Sequence, residues 1–288
     1  MSKRKQRVRS WSAAKAADPD AAADARSRRP LGLLAAVLAL VLAAPALAVA
    51  GWFLFAQDGA DPGPPRAVIV DQLSLSYPNP EFVEEATATL EAAGYAVDYV
   101  PGEDVNISLY YNLPTHDYEY VILRSHQAQL EEEWRGKEYD EAVFFTTELY
   151  DETEYTAEQW ELELSPAHTF EGATRYFAIA ANFIEDRMQG DLDGATVILM
   201  GCGGLHTERT AEAFVQRGAS RVIGWDHLVS ASHTDAATER LLEQLLIEDQ
   251  SMEAALAQTM AEIGPDPGYR STLVAYPPPF PAEAMSER

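Results

Sequence analysis

The chain has 288 residues, 47% of them hydrophobic and 23% charged, with one cysteine and a formal net charge of -25. The apolar share is enough for a packed core and excludes a disordered polyanion. One cysteine excludes an internal disulfide and a CxxC metal site, and the acidity argues against nucleic acid as a partner, because phosphate backbones are held by clustered Lys and Arg.

The charge is unevenly placed. Residues 1–30 carry nine basic side chains (Lys3, Arg4, Lys5, Arg7, Arg9, Lys15, Arg26, Arg28, Arg29) against three acids, a tail of +6, so the remainder stands at -31. Next comes Leu31 to Ala56, which has no charge and is long enough to cross a bilayer as a helix. Basic residues stay on the cytoplasmic side, so residues 31–56 are expected to anchor a single-pass cell membrane protein, N-terminus in and everything after Asp58 outside. The rival is a cleaved secretory signal with Ala48-Val49-Ala50 as its site; the long basic stretch and the continuation through Trp52 to Phe55 put it second. Residues 57–66 read as a Gly/Pro linker, 67–280 as the folded domain and 281–288 as a tail.

Within the domain, Ala67 to Val70 is a β-branched run that reads as a buried strand, and Glu81 to Ala93 repeats apolar residues at helical spacing before Gly94. Tyr95 to Val100, Tyr118 to Leu123, Ala195 to Met200 and Arg221 to Trp225 read as further strands, with Thr272 to Tyr276 as a final edge strand. Helical segments are expected at 174–188, 207–217, 234–246 and 252–263, with Ser232 to Asp235 as a capping box. Short apolar strands alternating with helices predict an α/β fold, three layers around a mostly parallel sheet. Residues 128–172 break the rhythm: EEEW, then VFFTTELYDETEYTAEQWELELS, suggest a hairpin or flap, with the many glutamates as a solvated surface.

In such sheets reactive groups gather at the carboxyl ends of the strands. The strand YEYVILRSHQ delivers His126 just past its end, and ATVILMGCGG delivers Cys202 in the same relative position. A thiol and an imidazole on one rim suit a nucleophile and its acid/base partner. A tight turn through Gly201, Gly203 and Gly204, with a helix starting near Thr207, is expected to give Cys202 backbone N–H groups and a positive dipole end.

"VILRSHQ" and "VILMGCGG" together resemble the His and Cys motifs of the caspase-hemoglobinase fold, the cysteine peptidases that include caspases, gingipains, clostripain and CHAT-domain proteases. The segment TAEAFVQRGASRVIGWDHLVSASHTDAATERLLEQLL is similar to the family pattern after the Cys, and the likeness covers roughly residues 67–276. It implies a flavodoxin-like caspase fold and peptide-bond cleavage of a polypeptide substrate, without metal or organic cofactor. It also implies Cys202 as nucleophile, His126 as general acid/base, and the backbone amides of Cys202 and Gln127 as oxyanion donors. The family His is usually followed by Gly; here the residue is Gln127. For the first subsite, Asp226 with Trp225 as an apolar wall is preferred, and Asp71 comes second; an acid there favours Arg or Lys at the cleavage site. His206 is the reserve base.

Two other readings stand beside this one. The Gly201 to Thr207 turn at a helix N-terminus suits an anion-binding module, although the chain lacks GxGxxG and GKS/GKT. The caspase fold without activity, as an extracytoplasmic interaction domain, is the other.

Overall fold

The computed structural model describes residues 63–134, 137–170 and 172–278, with the side chains of 131–138 also outside the description. The basic tail, the apolar stretch 31–56 and the C-terminal tail lie outside these residues; among those described, no helix is long and apolar enough to cross a membrane.

The domain is α/β. A six-stranded sheet has the order β10-β9-β8-β3-β1-β2, where β1 is Arg66–Asp71, β2 Ala96–Pro101, β3 Tyr118–Arg124, β8 Thr196–Leu199, β9 Arg221–Trp225 and β10 Leu273–Tyr276. All neighbours run parallel except β10, which is antiparallel to β9. The central strands read as continuous apolar runs because both faces are covered. Val68 and Val70 of β1 join one buried cluster with Val121, Leu123, Val197 and Leu199, while Ala67 and Ile69 join the other with Ile122, Ile198 and Ile223. The second cluster is closed by α1 (Pro80–Ala92), α6 (Ala231–Leu246) and α7 (Met252–Glu262). The first is closed by α2 (Ile107–Asn112), α4 (Ala181–Asp186) and α5 (Arg209–Gln216), together with Phe144, Leu164 and Phe177.

Residues Phe144, Leu164 and Phe177 belong to a second, four-stranded antiparallel sheet of order β4-β5-β7-β6, made of β4 (Gln127–Trp134), β5 (Lys137–Leu149), β6 (Leu164–Ala167) and β7 (Tyr176–Ile179), with α3 (Thr156–Trp160) between β5 and β6. The expected hairpin is therefore β4–β5, and it belongs to a sheet of its own. Two elements differ from the sequence reading. Residues 174–188 are a strand followed by a six-residue helix, because the apolar run YFAI is buried as β7. Ser230, not Ser232, is the N-cap of α6, so Ser232 to Asp235 fall inside the helix and Asp235 is buried.

Candidate active site

Parallel pairing of β1, β3 and β8 brings their carboxyl ends to one rim. The rim is built on Arg124, the last residue of β3, which is wholly buried. Its Nε and Nη2 donate to the two carboxylate oxygens of Asp235 at 2.7 and 2.8 Å, its Nη1 donates to Asp71 at 2.7 Å, and Nη2 also reaches the carbonyl of Tyr77 at 2.9 Å. Asn79 donates to Asp235 at 2.9 Å and the Tyr99 hydroxyl to Asp71 at 3.2 Å, so both carboxylates have further donors. Burial opposes the charge of Arg124, but the hydrogen bonds and fields of Asp235 and Asp71 outweigh it and raise its pKa. This cluster ties the end of β1, the segment leading into α1, and α6 to the strand that delivers the histidine. It was not read from the sequence, although an arginine at the end of an apolar run is a signal: a buried cation requires buried partners.

Two residues on, the His126 N–H donates to Gln72 Oε1 at 2.9 Å, and Nε2 is hydrogen-bonded to Ser76 Oγ at 2.9 Å. The ring lies between Tyr77 and Phe145, with centroids 5.8 and 5.7 Å away. Burial pushes its pKa below the ordinary value, which favours the neutral imidazole. The Phe145 N–H donates to the His126 carbonyl. Gln127, opposite Phe144, is thus in a non-hydrogen-bonded pair and turns its own N–H away from β5.

The Cys202 turn packs directly against this segment. A Cβ on Gly201 would lie 2.4 Å from the Ser125 carbonyl and 2.6 Å from the Gln127 side chain, so only glycine fits. Gly203 has φ +66°, and the N–H groups of Gly203 and Leu205 donate to the carbonyls of His227 and Trp225. Cys202 is half-buried, and its Sγ donates to the Val229 carbonyl at 3.5 Å. Burial pushes its pKa up and the Asp266 carboxylate adds to the shift. The following helix, α5, starts at Arg209, seven residues past Cys202, with Glu208 as N-cap. The expected dipole help from a helix at Thr207 is corrected accordingly, because that effect fades within the first turn.

His126 and Cys202 thus stand on adjacent turns in contact, but their side chains are not hydrogen-bonded to each other. Asp226 has both carboxylate oxygens on Thr272, accepting from its N–H at 2.8 Å and its hydroxyl at 2.7 Å, a clamp between β9 and the start of β10. Trp225 is fully buried, its indole N–H donating to Thr234 at 2.9 Å, so it offers no wall to a substrate. Asp71, equally buried, is committed to Arg124 and is no specificity acid in this arrangement. His206 is bonded to the Asp226 carbonyl at 3.2 Å rather than to the thiol. Among the described residues, no three His, Cys, Asp or Glu side chains are grouped to hold a metal ion.

Neither protein-family models nor curated protein sequences give a match to this chain.

Proposed function

We propose that the chain is a caspase-like cysteine endopeptidase, anchored in the cell membrane by residues 31–56 with its α/β domain outside. The observation that carries this reading is the contact of two turns at adjacent strand ends. Gly201, beside Cys202, lies against Ser125 and Gln127, on either side of His126. Further support comes from the strand order, in which β2-β1-β3-β8-β9 matches the 2-1-3-4-5 order of doubly wound sheets that hold their ligand at the β1/β3 crevice, where His126 meets Gln72 and Ser76.

The chemistry follows from the partners. With its proton on Nε2 and held by Ser76, the imidazole keeps the lone pair of Nδ1 free to take the thiol proton. Departure of Sγ from the Val229 carbonyl starts the reaction. The thiolate attacks the scissile carbonyl, the backbone N–H groups of Cys202 and Gln127 receive the oxyanion, His126 protonates the leaving amine, and water then releases the acyl group. A polypeptide is the substrate, and the chemistry calls on no metal or organic cofactor.

One observation favours a second reading, the fold without activity. The thiol is raised in pKa and hydrogen-bonded away from the histidine. Labelling the full-length chain with a thiol-directed peptide electrophile separates the two. A dyad predicts labelling at Cys202 that His126→Ala slows by about a hundredfold or more. Slow labelling that is indifferent to His126→Ala leaves the inactive fold.

A further inference from the structure

At the opposite side of the sheet from β10, the edge strand β2 has β1 as its only neighbour among the described residues, and the register between them is regular over all six residues. The Ala96 N–H donates to the Pro65 carbonyl, which sets the phase of the parallel ladder. Ala96, Asp98 and Val100 turn their backbone groups to β1, and Val97 and Tyr99 turn theirs outward. Exposed edges of this kind are usually blunted by lysines, bulges or a covering element. β2 has no lysine and no register break; Pro101 closes it at its last residue.

Each face of this edge carries a groove. On the α1 side a groove of about 580 Å³ runs between α1 and Tyr99, floored by Pro80, Val83 and Ala88, with the exposed carboxylates of Glu84 and Glu91 along it. Neither carboxylate has a cationic partner among the described residues. On the α2 side a smaller groove of about 410 Å³ is bounded by Val100 and Leu109 and by the polar side chains of Asp104, Asn106, Ser108 and Asn112. Successive side chains of a strand point to opposite faces, so a strand added to β2 would place alternate residues in the two grooves.

We propose that the free edge of β2 takes up an extended peptide segment of a partner protein as a seventh strand, with basic side chains in the α1-side groove and small polar ones in the α2-side groove. The backbone groups of Val97 and Tyr99 supply the ladder bonds, and the grooves supply the choice of sequence. Charge selects the occupant: Glu84 and Glu91, which have no cationic partner among the described residues, attract cations. A second copy of this chain is disfavoured, because the sequence beyond residue 30 stands at -31 and like charges repel at an edge-to-edge contact.

The test is fluorescence anisotropy of a labelled hexapeptide of alternating lysine and threonine with the full-length chain carrying Cys202→Ala, which cannot cleave it, in mild detergent. Methylating the backbone nitrogens of the lysines in one analogue, and of the threonines in another, removes the donors of one strand edge at a time. The expectation is saturable binding in which one analogue, not both, weakens about fivefold per donor lost. Glu84→Lys combined with Glu91→Lys is expected to weaken it at least about tenfold, and Glu253→Lys, on the exposed side of α7 away from β2, to leave it unchanged. Three results would each overturn the proposal: no binding, binding indifferent to both methylation patterns, or binding weakened as much by Glu253→Lys as by the Glu84 and Glu91 pair. Because the probe is read by binding rather than cleavage, its failure is distinct from failure of the peptidase reading.

Discussion

Arg124, the last residue of β3, and Gln127, the first of β4, are both buried, yet the fold treats them oppositely. The guanidinium makes four hydrogen bonds to Asp71, Asp235 and Tyr77. Among the described residues, the Gln127 carboxamide has no hydrogen-bond partner for either polar atom. The cause lies in what surrounds each. Arg124 faces segments that bring carboxylates and a free carbonyl. Gln127 is pressed against Gly201 and Gly204, which offer only backbone, and the nearby N–H groups of Gly203 and Leu205 are committed to His227 and Trp225. The comparison teaches that the Arg124 end of the rim is locked by the hydrogen bonds of its guanidinium. The residue that packs on the Cys202 turn is held there by contact alone among the described residues.

The largest break comes from the locked side. Arg124→Met leaves Asp71 and Asp235 buried without their cation, an expected loss of about 3–5 kcal/mol in urea unfolding. Adding Asp71→Leu and Asp235→Leu is expected to recover most of it, because a buried ionic triad replaced as a unit by apolar side chains costs little. Unchanged stability in Arg124→Met would mean that the cluster is not buried as described.

The unsatisfied side should respond with the opposite sign. Gln127→Met keeps the shape and removes two unpaired polar atoms, so stability is expected to rise by about 1 kcal/mol. A drop of that size would show that the carboxamide has partners after all.

The smallest effect sharpens the comparison through pH. Glu239 on α6 is pushed up to about 7, from an ordinary 4.5, by burial and then by the carboxylates of Glu85, Asp235 and Glu81. A native pKa raised above the unfolded one gives stability that is complete below the unfolded value and lost as pH rises through the native value. Unfolding free energy is therefore expected to fall modestly between pH 5 and pH 8, and Glu239→Gln should flatten that slope.

The sheet was legible because strands covered on both faces must be apolar throughout: the runs at 67–70, 118–123 and 221–225 correspond to β1, β3 and β9. The same logic failed at 174–188, where YFAI is too short for periodicity to separate a buried strand from a helix. The positions of His126 and Cys202 at adjacent strand ends were legible, since each follows its strand directly. Their partners were not. Ser76 and Gln72 meet His126 across 50 and 54 residues, and Asp235 meets Arg124 across 111, separations that carry no local pattern. The first-subsite reading of Asp71, Asp226 and Trp225 ranked them by position past a strand. Position alone does not reveal that Arg124, Thr272 and Thr234 already engage them.

The central claim is that His126 takes the proton of Cys202, and the pH dependence of Cys202 alkylation in the full-length chain tests it most directly. With the histidine as base, the rate is expected to rise through an imidazole transition below the usual ~6.5, and His126→Ala should move that rise to the thiol's own range, above ~8.5. One profile shared by both proteins, rising only above ~8.5, would contradict the dyad.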